Sequence, residues 1–323
     1  MAQKNSSSQG KSGKGCFKGC LVVLVIIVVC ITGLEIFRRY AMRRYEENFL
    51  KTYTPSAELA EIAQKTSLTD KAKKIFYQAD PEFIGSDIFA TYCLGRNGAE
   101  LALACARSST PDNKKSSKPR IFLLRIEEPE FADSRFPSSA HEILHIAYRK
   151  LSTEERERIG NLIDQELARR QDDSHLRGIG DIIKTSGDDA NEELRNEMHS
   201  IFGVEYRDIS SELEEYYAQY FFDRKALVLL YENAGFEKRI RKIGEIARQT
   251  KIVDSQLTSM STQLTAYQKS GDTDSYNSMV AEFNAKVYQY NAKVQEGKKL
   301  YSDIEVLYAL INPSYQPPQE KTR

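Results

Sequence analysis

Residues 141–145 read His-Glu-Ile-Leu-His, and this stretch restricts the fold more than any other in the chain. On a helix, side chains at i and i+4 lie one above the other, so His141 and His145 face the same way. Two neutral imidazole nitrogens at that spacing make half of a tetrahedral zinc site. Glu142 follows the first His, which brings its carboxylate beside an open fourth position, where it can take a proton from water. Only four His occur in 323 residues, so the spacing is poorly explained by chance. The surroundings read as helix: Pro137, Ser138 and Ser139 offer a start, and Ile143, Leu144, Ile146 and Ala147 give an apolar body. A strand-like run over 120–126 precedes it. The competing reading is a buried structural helix whose two His are merely hydrogen-bonded.

A zinc site of this kind needs a third protein ligand. Residues 191–205, NEELRNEMHSIFGVE, supply the candidates. As a helix this segment has Leu194, Met198, Ile201 and Phe202 on its apolar face. Glu197 borders that face, and His199 is expected to project away from it. A carboxylate beside an apolar face is costly without a partner, and a metal is such a partner. Glu197 therefore leads. Glu205 is second, provided the helix continues past Gly203, and His199 is third.

The pair of motifs, His141-Glu142-x-x-His145 and then Asn196-Glu197-x-x-Ser200, resembles the gluzincin group of zinc metallopeptidases. The resemblance implies a zincin-like domain in which His141, His145 and Glu197 hold Zn2+, Glu142 is the general base and the 120–126 run is an edge strand above the helix, open to a substrate added as a further strand. The chain departs from the group at Ile201, where an Asp often braces a ligating His. The segment from Asn196 to Arg224 also resembles uncharacterised membrane-anchored metallopeptidases of small-genome bacteria. A donor for the developing oxyanion is also needed, and Tyr206, Arg207, Tyr216, Tyr217 and His175 are the unranked candidates.

Around this centre the chain divides readily. Residues 1–18 are polar and free of acids, which predicts a disordered basic tail. Residues 19–34 are an uncharged apolar run, extended by Phe17, Ile36 and Phe37. No small-x-small cleavage site follows, so 19–37 reads as a retained transmembrane anchor rather than a signal peptide. Such an anchor usually leaves the following domain outside the cytoplasm, giving a single-pass protein of the cell membrane. Residues 38–77 are expected to form a helical stalk, with a break at Pro55-Ser56. The zincin-like domain spans 78–232. In it, 88–107 reads as a hairpin turning at Gly95-Arg-Asn-Gly98, and Ser152-Thr-Glu-Glu155 as a capping box. Residues 211–231 read as one apolar-rich helix.

From Ile243 to Tyr267, and again from Tyr276 to Val294, apolar residues recur at alternating spacings of three and four. The polar turn between them predicts an antiparallel coiled-coil hairpin over 236–311, followed by a polar tail at 312–323. The fold class is thus α+β and predominantly helical, with a small antiparallel sheet, one transmembrane helix before the domain and a helical hairpin after it.

The formal net charge is zero and no large basic block occurs, which argues against a nucleic-acid partner. Of five Cys, only Cys93 and Cys105 lie beyond the apolar segment. A disulfide and two small buried thiols are both open for them. Two functions remain. The first is a membrane-anchored zinc peptidase acting on a peptide or protein substrate. The second is a catalytically idle zincin-like scaffold that binds a protein partner, or itself, through the hairpin.

Overall fold

A computed structural model describes residues 34, 37, 40, 41, 44, 48–93, 103–108, 118–184 and 190–311. It divides into two units, Met1–Thr54 and Pro55–Arg323. In the first unit the described residues up to 52 are helical. No helix among the described residues is long and apolar enough to cross a membrane. Apart from Leu34 and Phe37, the expected anchor lies outside the described residues, as do both expected tails and the Gly95–Gly98 turn.

The second unit begins with two capped helices. The Ser56 side chain accepts from Leu59 N–H to start α1 (Ala57–Lys65), and Thr69 accepts from Ala72 N–H to start α2 (Asp70–Gln78). Ile62, Ala72 and Phe76 on them are fully buried. This corrects the expected stalk: 57–78 belongs to the packed unit, because its apolar residues complete the core.

Three strands follow, β1 (Glu82–Ile84), β2 (Ala104–Arg107) and β3 (Arg120–Leu124), in the order β1-β3-β2. β1 runs parallel to β3 and β2 antiparallel to it, so the sheet is mixed rather than antiparallel. β3 is the central strand, buried on both faces, as its unbroken Ile121-Phe-Leu-Leu124 run requires. The edge is β2, not the 120–126 run. The expected hairpin is also corrected: its first half is helix α3 (Ser86–Cys93), which packs on β2 and β3 and buries Phe89. Cys93 and Cys105 form a disulfide between α3 and β2.

A 3-10 turn at Ala132–Ser134 leads into α4 (Arg135–Arg149), the His-Glu-Ile-Leu-His helix. Pro137 falls in its first turn, where a missing N–H donor costs no intrahelical hydrogen bond. α4 is the hub: it packs against α1, α2, β2, β3 and two later helices. Ser152 and Glu155 form the expected capping box of α5 (Thr153–Arg169). α6 (Ser174–Lys184) follows, with Leu176 and Ile183 buried. Then come α7 (Ala190–Val204), α8 (Ser211–Tyr217) and α9 (Arg224–Asn233). The apolar stretch 211–231 is thus two helices. Asp223 caps the second by accepting from Ala226 N–H, and Arg224 is buried on the carbonyls of Phe202, Tyr206 and Arg207.

The long helices α10 (Gly235–Ser270) and α11 (Thr273–Ile311) form the hairpin. Gly271, at φ 73°, ends α10 in the left-handed conformation that glycine adopts without strain. Lys286 reaches Gln256, Lys293 reaches Gln249 and Arg239 reaches Asp303, an antiparallel progression. The heptad residues, from Ile246 and Met260 to Phe283 and Val294, are all at least partly withdrawn from solvent. The base of the hairpin is built into the core. Phe236, Ile304 and Leu307 join Phe89, Phe122 and Leu124 in one apolar cluster.

Candidate metal centre

α4 and α7 cross closely at Gly203. A Cβ there would overlap Leu144 Cδ1 and come within 3.0 Å of the Tyr217 ring. This crossing sets Glu197 against the two His. His141 Nε2 lies 3.2 Å from Glu197 Oε1, and His145 Nε2 lies 3.3 Å from Glu197 Oε2. The two imidazole centroids are 4.7 Å apart. Among the described residues these three form the one group of His, Cys, Asp or Glu able to hold a metal ion, with donor atoms within 4.8 Å of one another.

The residues fit a divalent ion on their own geometry. Bonds of ~2.0–2.1 Å to a tetrahedral metal put ligand atoms roughly 3.3 Å apart, close to the two separations observed. Two neutral nitrogens and one carboxylate are also the donor types zinc takes. All three side chains are partly buried. Burial opposes ionisation of Glu197, but His141 and His145 overcome it and hold the carboxyl well below its usual range. Burial likewise lowers His141, whereas the Glu197 charge and hydrogen bond raise it to about 9. Two buried atoms beside the donors, His145 Nδ1 and Asn196 Oδ1, have no hydrogen-bond partner among the described residues. Ile201, where the resemblance leads one to look for a bracing Asp, is buried and offers no acceptor.

The three donors open into a cleft of about 400 Å³. Glu142 lines it too, on the same helix and 8 % exposed. The edge strand β2 forms part of the wall, as do Phe236, Glu237 and Ile240 at the base of the hairpin.

The second and third candidate ligands are not part of this group, although Glu205 lines the same cleft. α7 does continue past Gly203, and Glu205 N–H donates to Ile201 C=O. Yet the Glu205 carboxylate meets His175 Nε2 at 3.3 Å and accepts from the Tyr231 hydroxyl at 2.8 Å. Its hydrogen bond raises His175. His199 does not project away from the core. It is fully buried, with Nε2 2.9 Å from the Tyr216 hydroxyl and Tyr148 and Tyr217 against its ring. Burial, and then the neighbouring His145 and His141, depress it to about 3, so it is neutral. The helix is covered on more than one side, which a single amphipathic stripe does not anticipate.

Of the five candidate oxyanion donors, His175 alone lines the cleft. Tyr216 and Tyr217 are core residues bonded to His199, Tyr206 donates to Asp173, and Arg207 is paired with Glu232. Tyr231 and Glu237 were not singled out from sequence. They reach the cleft through contacts remote in the chain, and nothing local marks them. The helix carrying His175 did have a signal in the spacing of Leu176, Ile179 and Ile183.

Comparison with known proteins gives no match to a family model, a curated protein or a solved structure.

Proposed function

We propose that the chain is a zinc-dependent peptidase of gluzincin type, with a zincin-like catalytic domain. The observation that carries this reading is the convergence of His141, His145 and Glu197 beside Glu142 in one open cleft. A purely structural metal site is closed by protein ligands and needs no base; here three donors face a cleft, and a carboxylate stands next to them. His141, His145 and Glu197 would hold the zinc, which when bound acidifies a water and polarises the scissile carbonyl. Glu142 accepts the proton of the attacking water and later delivers it to the leaving amine. His175 and Tyr231, both bonded to Glu205, are among the cleft groups able to donate to the oxygen on which negative charge develops. Among the described residues the outer edge of β2 is unpaired, and it can receive an extended substrate as an added strand.

The membrane placement belongs to the same proposal: an anchor at 19–37, with the catalytic unit on the extracytoplasmic side. The Cys93–Cys105 disulfide supports an oxidising location. The test is hydrolysis of unstructured protein by the zinc-loaded full-length chain beside its Glu142→Gln variant. Loss of hydrolysis in the variant supports the enzyme, and equal rates refute the assigned base. Metal binding without any hydrolysis by the unaltered chain would favour the tethered scaffold.

A further inference from the structure

We propose that the Cys93–Cys105 disulfide is a redox switch of the cleft: a dithiol that reduces it releases the edge strand β2 and weakens the hold on an extended substrate. The inference concerns regulation of the site, and rests on the peptidase reading above for the substrate that lies along β2. Cys93 is the last residue of α3 and Cys105 lies in β2, so the bond ties a helix end to the outer strand of the sheet. Among the described residues β2 pairs on one side only, with β3, over Ala104–Arg107. A short strand at a sheet edge, held by one ladder, opens more readily than a central strand. Two ties from α3 steady it, and both end on Cys93. One is the disulfide; the other is the Arg107 guanidinium, which donates to the Cys93 carbonyl at 2.7 Å.

The bond is reached from the cleft. Cys93 and Cys105 are only 6 % and 7 % exposed, and both line the cleft that also holds His141, Glu142 and Glu197. The step balances with a dithiol as reductant. Its thiolate attacks one sulfur of the pair, and the other sulfur leaves as a thiolate that takes up a proton. The second thiol of the reductant then resolves the mixed disulfide. The reductant ends as a disulfide, and Cys93 and Cys105 each gain one electron and one proton. Reduced, the pair is two small thiols that suit the apolar cluster they share with Phe89, Phe122 and Leu124. The core stays filled, so what is lost is the covalent tie on β2. The strand that would carry the substrate then fluctuates, and ordering it again opposes binding.

The test uses the full-length zinc-loaded chain carrying Cys16→Ala, Cys20→Ala and Cys30→Ala, so that this pair alone titrates. Tris(2-carboxyethyl)phosphine serves as reductant, itself oxidised to the phosphine oxide with the oxygen of water, and casein serves as the unstructured ligand. Amide hydrogen exchange over 104–107 is expected to rise roughly tenfold or more on reduction, while exchange over 135–149 stays as it was. The Kd for casein, read on the Glu142→Gln form without turnover, should rise roughly fivefold or more, the lower end of coupling between two sites. Reoxidation should restore both. Cys93→Ser/Cys105→Ser, free of reductant, should match the reduced chain; if it does not fold, reversible reduction of the unaltered pair decides. Unchanged exchange over 104–107, a rise spread over the whole second unit, or an unchanged Kd each overturns the switch, and hydrolysis of casein by the form with Glu142 intact would then leave the peptidase standing. A loosened β2 and weakened casein binding, with no hydrolysis in either redox state, overturns the peptidase and leaves a redox-gated binding cleft.

Discussion

His141 Nε2 and Glu197 Oε1 stand 3.2 Å apart, although the whole of α5 and α6 separates them in the chain. The contact exists because α4 and α7 cross at a glycine, and it supplies the third donor that the His pair lacks. Glu197→Ala removes one of three protein ligands and is expected to lower zinc affinity by at least 100-fold. Glu205→Ala should leave it nearly unchanged, because that carboxylate faces His175 and Tyr231. Metal content after dialysis against a zinc buffer, for both variants, is the measurement. Equal loss in the two would move the ligand.

Glu142→Gln keeps the shape of the side chain and removes its basicity. Zinc content should remain that of the wild type, and kcat should fall by roughly 10²–10⁴, the range for a positioned general base. A single-turnover assay with metal quantified in the same sample separates lost chemistry from lost zinc.

Gly203→Ala tests the helix crossing. Alanine raises helix propensity, by up to ~1 kcal/mol. Its Cβ would nevertheless overlap Leu144, and both Leu144 and Tyr217 are fully buried. Overpacking of this kind costs about 1–3 kcal/mol, so a net destabilisation is expected. Zinc affinity should fall with it, as Glu197 is pushed off the His pair. Urea midpoints with and without zinc read both effects.

Glu237 gives the chain a pH-dependent stability. Burial raises its carboxyl from 4.5 to about 7, against the lowering effect of the Ser134 hydrogen bond. The unfolded chain therefore loses this proton first as pH rises. Between pH 4.5 and 7 the folded state holds the extra proton, so stability declines with rising pH, by about 3 kcal/mol in total. Below 4.5 the contribution is fully present, and above 7 it is fully lost. Glu237→Gln should flatten this part of the profile and be the more stable protein at pH 8. Urea unfolding of both proteins at pH 4.5, 6 and 8 measures it.

His175→Ala should lower kcat by roughly 10–10³ with zinc content unchanged, if its ring donates to the developing charge. Tyr216→Phe, at a buried hydroxyl bonded to His199, should instead change stability by about 1 kcal/mol and leave the rate alone.

What the sequence determined by itself was local. The i, i+4 spacing of His141 and His145 needs only a helix to bring the rings together, and helix geometry is a property of consecutive residues. The same holds for the Ser152–Glu155 capping box and for the heptads that pair α10 with α11, whose partners are linked by a short turn. Sequence also ranked Glu197 first among the third donors, through the price of leaving a carboxylate beside an apolar face. The tertiary structure decided whatever depends on packing between remote segments. His199 is buried because Tyr148, Tyr216 and Tyr217 cover a side of α7 that the apolar stripe leaves open. Glu205 turns from the metal group because His175 and Tyr231 meet it first. The edge strand is β2 rather than β3 because β1 takes the other side of β3 in parallel, a pairing no local pattern announces. Phe236 and Ile240 reach the cleft because the base of the hairpin completes the apolar cluster on the sheet. Burial and strand order are properties of the whole assembly, which one chain segment read alone does not contain.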